Sequence, residues 1–273
     1  MTHPRPRPTG DSVPLPPSLR WERQGEHGEI AVLRISRPEK RNALDDPTVL
    51  GLEAFFTDPP EGVRAVVLDA DGDHFSAGLD LAELVERDAF RSLEHSRMWH
   101  RAFERVERGR VPVVSVLKGA VIGGGLELAC ATHIRVAETG AYYALPEGRH
   151  GLFTGGGAAV RLPRLIGAHR MADMMLTGRA LDAEEGHRLG VSQYLVAPGE
   201  GTARALELAA TIARNSPVTN FAVLQALPRI AEAGPDEGSL LESLMAAAAS
   251  ATPEAQDRMR AFLDGRARKA GRP

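Results

Sequence analysis

The fold is decided by a glycine-rich stretch: Gly119-Ala120-Val121-Ile122-Gly123-Gly124-Gly125-Leu126-Glu127-Leu128-Ala129. Within a helix each glycine costs about 1 kcal/mol relative to alanine. Three in a row therefore predict a helix N-terminus that approaches another backbone closely or presents bare N–H groups. Glu127 follows directly, among apolar residues. Its carboxylate lies either on an exposed face or in the interior with a raised pKa, and the local sequence leaves both open.

A second glycine-bearing segment runs from residue 74 to residue 83. Its Ala-Gly pair follows a predicted strand and allows close approach of a ligand to the backbone. Asp80 and Glu83 have the spacing of a capping box, which predicts that a helix starts there. The free N–H groups and positive dipole end of such a helix suit an oxygen anion.

A third segment, residues 143–151, is predicted to be a strand that runs into a loop. The loop carries Glu147, whose carboxylate either belongs to a functional site or simply pairs with Arg149 at the surface. Residues 154–158 follow as another glycine-rich helix entrance.

Outward from these segments, strand and helix patterns alternate and predict an α/β class. A helix should begin at Asp46-Pro47, with proline in its first turn, and a second should cover residues 91–108. Beyond Gly167 the pattern is almost wholly helical. We expect a flexible proline-rich arm over residues 1–18, an ordered core over 19–200 and a helical region over 201–273. Strands are predicted at 29–35, 63–68, 111–117, 134–137, 142–145 and 192–196.

Composition excludes several classes of protein. The chain has 273 residues, a formal net charge of −3 and a single cysteine, so neither a nucleic-acid-binding surface nor a disulfide framework is expected. Apolar runs are too short for a membrane span, and the start lacks a signal-peptide core, which favours a cytoplasmic protein. The histidines are scattered, so no metal site is predicted. A dinucleotide fingerprint fails because Leu128 stands where its third glycine is needed.

Taken together and in order, the segments resemble the enoyl-CoA hydratase/isomerase (crotonase) superfamily. The likeness extends from about Leu19 to Arg268. It rests on Arg37-Pro38-Glu39-Lys40-Arg41-Asn42-Ala43-Leu44, on Phe75-Ser76-Ala77-Gly78-Leu79-Asp80-Leu81, on Lys118 to Ala129, on Leu145-Pro146-Glu147 with Gly151, and on Leu176-Thr177-Gly178 with Ala183 and Gly190-Val191.

This resemblance implies a crotonase-like spiral of strand-strand-helix units, with the active site in the 19–200 core and a helical C-terminal trimerisation region. It also implies homotrimers or hexamers and an acyl-CoA substrate. Leu79 and Gly124 would supply the backbone N–H groups that hold the thioester oxygen. Glu127 would activate water and Glu147 would deliver a proton to the α-carbon. The expected reaction is reversible hydration of a 2-enoyl-CoA to a 3-hydroxyacyl-CoA.

Two alternatives remain open at this point. One is a double-bond isomerase or a specialised dehydratase of the same superfamily. The other is an acyl-CoA-binding subunit without catalysis. No cofactor is expected, since coenzyme A is part of the substrate.

The resemblance also implies contacts to coenzyme A and the acyl chain. For Lys40 and Arg41 the alternative is a solvated basic turn. Ser250 and Gly265 stand where the family has an aromatic residue and a lysine against adenine, and Arg266, Arg268 or Lys269 could substitute. Arg149 and His150 replace aliphatic residues, and either point outward or make the acyl pocket polar. The expected binding residues are Lys40, Arg41, Ala43, Ala77, Asp80, Leu81, Gly123 and Phe153.

Overall fold

Residues 14–83 and 88–265 are described by the computed structural model. The first 13 residues of the expected arm therefore lie outside the described residues, as do Arg266, Arg268 and Lys269. Two compact units divide the chain, over 1–210 and 211–273. The domain boundaries expected from sequence remain predictions.

Strands of the first unit form two sheets. They are β1 (Leu19–Gln24), β2 (Ile30–Ile35), β3 (Ala65–Ala70), β4 (Val113–Leu117), β5 (Ala120–Ile122), β6 (Ile134–Glu138), β7 (Tyr142–Ala144), β8 (Leu181–Asp182) and β9 (Tyr194–Val196). One sheet has the order β1-β2-β3-β4-β6-β9, antiparallel between β1 and β2 and parallel beyond; the other has the order β5-β7-β8. This is the predicted α/β class. The sequence patterns did not predict β1, β5 or β8.

Helices of the first unit pack around these sheets. They are α1 (Asp46–Thr57), α2 (Ala89–Glu107), α3 (Gly124–Ala131), α4 (Ala158–Ile166), α5 (Ala168–Thr177), α6 (Ala183–Leu189) and α7 (Gly201–Ala213), whose last turn reaches into the second unit. Helix α1 begins where Asp45 caps it, through a 2.9 Å bond from the Thr48 N–H, and has Pro47 in its first turn. The side chains of β3, β4 and α3 are buried throughout, so the core surrounds α3.

The second unit is helical, as predicted. Its helices are α8 (Pro217–Phe221), α9 (Leu227–Glu232), α10 (Pro235–Ser250) and α11 (Pro253–Leu263), with a π-helical segment at Ala222–Ala226 between the first two. In neither unit is any described helix both long and apolar enough to cross a bilayer.

The helix expected to start after Asp80 begins as a 3-10 turn, Leu81–Glu83, and residues 84–87 lie outside the described residues. Asp80 does accept a 3.1 Å bond from the Ala82 N–H, but its other oxygen binds two cations, Arg37 at 2.6 Å and Lys40 at 2.9 Å. The carboxylate therefore ties the start of this turn to the loop after β2.

Candidate functional site

Two backbone N–H groups face the same space without an acceptor among the described residues. Leu79 pairs with Leu44 in an isolated parallel bridge, in which the Leu44 N–H donates to Gly78 and the Asp80 N–H donates to Leu44. The N–H of Leu79 thus points away from this bridge. Gly124 is the first residue of α3, so its N–H has no partner within the helix.

Glycines allow these two amides to come together. Gly78 has φ +91°, and a Cβ built there would lie 2.7 Å from the Ile122 carbonyl oxygen and 3.2 Å from the Gly124 nitrogen. No larger residue fits at that position. The strand before α3 therefore packs against the 76–79 segment, and two N–H donors converge beside the positive end of the α3 dipole.

Glu127 lies in the first turn of α3 and is buried, with 4% of its surface exposed. Its Oε1 accepts two backbone hydrogen bonds, at 2.8 Å from Gly156 and at 3.0 Å from Ala158. Burial raises the pKa of this carboxyl, while the two N–H donors oppose the rise. Of the two positions that the sequence left open, the interior one is confirmed.

The Gly156 peptide is held on its other side by Arg161. The Arg161 guanidinium donates to the Gly156 carbonyl oxygen at 3.1 Å and pairs with Glu107 at 2.8 Å. A chain of contacts therefore runs from the partly exposed Glu107 through the buried Arg161 and Gly156 to the carboxylate of Glu127.

Glu147 begins a 3-10 turn (Glu147–His150) after β7. Its Oε1 lies 2.9 Å from where a Cβ on Gly123 would stand, and its buried Oε2 has no hydrogen-bond partner among the described residues. Burial raises the pKa of Glu147 to about 7, and the charge of Glu127 adds a smaller contribution in the same direction. The surface pair between Glu147 and Arg149 is not formed, because Arg149 donates to the Gly178 carbonyl oxygen at 2.9 Å instead.

A single cavity of about 390 Å³ brings these groups together. Both amide-bearing residues and both glutamates line it, as do three of the predicted binding residues, Ala77, Gly123 and Phe153. The cavity wall thus combines two hydrogen-bond donors with two carboxyl groups of raised pKa. Such a site can stabilise a developing oxyanion and move protons on neighbouring carbon atoms.

Other predicted binding residues form a separate cluster beside the cavity. Lys40 and Arg37 both pair with the buried carboxylate of Asp80, and these contacts hold the pKa of Asp80 well below its ordinary value. Ala43 is buried and its carbonyl oxygen accepts a 2.7 Å bond from Arg37. The exposed Arg41 has φ +51°, and Leu81 opens the 3-10 turn.

The structure separates two residues that the sequence treated together. Arg149 points away from the cavity, whereas His150, although exposed, lines it.

Ser250 and Gly265, at the positions where the family has its adenine contacts, are exposed. Among the described residues no group of histidine, cysteine or acidic side chains could hold a metal ion.

One wall of the cavity was missed by the sequence analysis. It is formed by residues of α2, and we call it the α2 wall: Ser92, His95, Ser96 and Trp99. Their spacing of three and four residues follows one face of a helix, which was the available signal. One sequence does not show how residues 86–100 fold over the cleft.

Sequence comparisons match this chain to known proteins along most of its length. The profile of the family described as enoyl-CoA hydratase/isomerase matches residues 25–269. A short-chain-enoyl-CoA hydratase from Clostridium acetobutylicum is 30% identical over 244 residues, which cover 88% of this chain and 94% of that protein.

Solved structures of other proteins also resemble the structure of this chain. A protein from Rhodopseudomonas palustris CGA009, named "putative enoyl-CoA hydratase", is 58% identical, with a TM-score of 0.88 and coverage of 91% of this chain and 95% of the other. Pseudomonas aeruginosa DspI is 30% identical, with a TM-score of 0.87 and coverage of 95% and 99%.

Proposed function

Because the chain belongs to the enoyl-CoA hydratase/isomerase family, we propose that it adds water reversibly across the double bond of a 2-enoyl-CoA, giving a 3-hydroxyacyl-CoA. One observation carries this proposal: two N–H donors without acceptors, on Leu79 and Gly124, line the same cavity as the carboxyls of Glu127 and Glu147. Both carboxyls are needed for hydration, since one must accept a proton from water and the other must give a proton to carbon.

The two amides bind the thioester oxygen. As water adds to the β-carbon, electron density moves from the double bond to this oxygen, which becomes an enolate-like anion. Donors that already point at that position stabilise the charge without reorganisation, and removing one such donor typically costs a factor of about 10²–10³ in rate.

The glutamates divide the proton transfers between them. Glu127 receives two N–H bonds that stabilise its ionised form, whereas Glu147 has an unpartnered oxygen and a pKa raised to about 7. We therefore assign the charge to Glu127 and the proton to Glu147. Glu127 takes a proton from water as the oxygen bonds to the β-carbon, and Glu147 gives its proton to the α-carbon. A return of the proton from Glu127 to Glu147 completes the cycle.

Coenzyme A would lie beside the Arg37–Asp80–Lys40 cluster. Lys40 is about half exposed, so its ammonium group can reach a phosphate while it stays close to Asp80. Arg41 is exposed on the same turn. The proposed chemistry needs only the side chains and amides of this chain and the substrate itself; no cofactor enters it.

Isomerisation is the second candidate, and the unpartnered carboxyl of Glu147 favours it. A single carboxyl that titrates near neutral pH can take a proton from one carbon atom and return it to another, which moves a double bond without water. The two reactions differ in their need for Glu127.

Assembly and location remain predictions. We propose a homotrimer or a hexamer in the cytoplasm. Helices α10 and α11 carry exposed apolar side chains that an assembly could cover, among them Leu240, Leu244, Phe262 and Leu263. Light scattering coupled to size-exclusion chromatography measures the oligomeric mass.

The test is turnover of but-2-enoyl-CoA by the wild-type protein and by Glu127→Gln and Glu147→Gln variants, with mass spectrometry for the gain of one water. Hydration predicts that both variants lose activity. An isomerase would instead convert a 3-enoyl-CoA to the 2-enoyl-CoA, with no gain of mass, and would keep this activity in Glu127→Gln. Unchanged hydration in both variants would contradict the mechanism.

A further inference from the structure

Three of the four side chains of the α2 wall are polar. Ser92, His95 and Ser96 line the cavity on the turns of α2 that precede Trp99. An alkyl chain makes no hydrogen bond to such groups and excludes water from them on binding, which costs free energy. The wall therefore suits an acyl group that carries a hydrogen-bonding function.

His95 is held in a fixed position by α1. Its Nε2 lies 2.7 Å from Oδ1 of Asp46, and the side chain is largely buried. Since a carboxylate only accepts, Nε2 carries the hydrogen, and Nδ1 is the ring nitrogen left over. Nδ1 has no partner among the described residues. It accepts a hydrogen bond when the ring is neutral and donates one when the ring is protonated.

The neighbouring polar atoms also have spare capacity. The Ser96 hydroxyl donates to the Gly155 carbonyl oxygen at 2.7 Å, which leaves its oxygen free to accept. Trp99 is 4% exposed, and its indole N–H has no acceptor in the part of the chain that the structure describes. A buried donor without a partner is unusual in a folded protein.

Charge limits what that group can be. Among the described residues that line the cavity there is no lysine or arginine, while Glu127 and Glu147 contribute carboxyls. An anionic terminal group, as on a dicarboxylic acyl chain, would face these carboxyls with no lysine or arginine among the described lining residues to neutralise it. A hydroxyl is neutral, and it both donates and accepts, so it satisfies Nδ1 of His95 in either protonation state.

One end of the α2 wall adjoins the proposed thioester site. Trp99 packs on Gly124, where a Cβ would lie 2.6 Å from its ring, so this end of the wall adjoins the amide that would bind the thioester oxygen. His95 is four residues earlier on α2, which is about 6 Å along the helix axis.

We propose that the α2 wall selects enoyl-CoA esters whose acyl chain carries a hydroxyl group beyond the double bond, with His95 as the residue that recognises it. This inference rests on the proposed function, because it names the substrate class of the same cavity.

Matched ester pairs test the inference. The probes are trans-hex-2-enoyl-CoA with its 6-hydroxy derivative and trans-oct-2-enoyl-CoA with its 8-hydroxy derivative. For the favoured length we expect kcat/KM of the hydroxylated ester to exceed that of the plain ester by about tenfold, the effect of one or two hydrogen bonds. In His95→Leu this ratio should fall to about one, and in His95→Gln, which keeps a donor and an acceptor, it should partly return.

The control is His169→Leu, the same change at an exposed histidine on α5 that does not line the cavity. It should keep the wild-type ratio. Calorimetric binding of hexanoyl-CoA and 6-hydroxyhexanoyl-CoA gives a second readout that needs no turnover. If no enoyl ester reacts but the hydroxylated ligand still binds more tightly, the proposed reaction fails and the inference stands. A wild-type protein without preference in either measurement, or a preference that survives in His95→Leu, would overturn the inference.

Discussion

Adding one methyl group at Gly156 should displace the carboxylate that we assign as the base. A Cβ at this position would lie 2.9 Å from Oε2 of Glu127 and 3.1 Å from the Phe103 ring, whereas ordinary contacts begin at 3.4 Å. The oxygen must therefore retreat by about 0.5 Å. It cannot swing into solvent easily, because Oε1 is held by two backbone N–H groups and the side chain is buried.

The expected effect of Gly156→Ala falls on kcat. A displacement of about 1 Å from the reactive position can cost a factor of about 10², so a shift half as large should lower kcat by roughly tenfold or more. KM should change less, since the amides of Leu79 and Gly124 are untouched. The fold should tolerate alanine because Gly156 does not have a positive φ.

Steady-state hydration of but-2-enoyl-CoA, with thermal unfolding of each variant, measures this effect. Gly140→Ala is the control, because a Cβ there meets nothing within 4 Å and the position also lacks a positive φ. Wild-type kcat in Gly156→Ala would refute the role of Glu127. An equal loss in Gly140→Ala would show that the effect does not come from the displaced carboxylate.

Three further changes probe the acid and the contacts around the site. Glu147→Gln should lower the kcat of hydration by a factor of about 10²–10⁴, because Glu147 donates a proton to the substrate. The wild-type kcat should fall as the pH rises above about 7, where Glu147 loses this proton, and a kcat that does not change in that range would contradict its role as the acid. Arg161→Lys should lower kcat more than it raises KM, because it weakens the contact to the Gly156 carbonyl oxygen; equal changes in both constants would argue against a positioning role. Asp80→Asn should lower the free energy of unfolding by about 2 kcal/mol at neutral pH, since Arg37 and Lys40 lose their shared partner. The pKa of Asp80 in the folded protein lies below its value in the unfolded chain, so this stabilisation is present at pH values above the ordinary carboxyl pKa and disappears as the pH falls. In denaturant titrations at several pH values, the free energies of unfolding of wild type and variant should become equal at low pH.

Much of the site could be predicted because backbone geometry constrains it. Gly78 must be glycine, since any side chain there would strike the Ile122 carbonyl, and the glycines at the start of α3 leave its first N–H groups bare. A glycine marks such a position in the sequence itself, even though the sequence does not show which segment approaches it. Likewise, α1 was correctly predicted from Asp46-Pro47.

Other features depend on contacts between distant segments. The Asp80 carboxylate binds Arg37 and Lys40, about 40 positions earlier in the chain, and its spacing to Glu83 does not indicate these contacts. Whether Glu127 was buried could not be decided locally either, since its hydrogen-bond donors, Gly156 and Ala158, lie in a different segment. The residues of the α2 wall were not predicted, because the pattern of a long amphipathic helix does not show what its inner face covers.

The most direct test of the mechanism is a crystal structure of the Glu127→Gln, Glu147→Gln double variant with but-2-enoyl-CoA bound. We expect the thioester oxygen at about 2.7–3.1 Å from both the Leu79 and the Gly124 nitrogen atoms. The β-carbon should face residue 127 and the α-carbon residue 147. A thioester oxygen bound elsewhere, or an alkene outside the space between these two side chains, would contradict the mechanism.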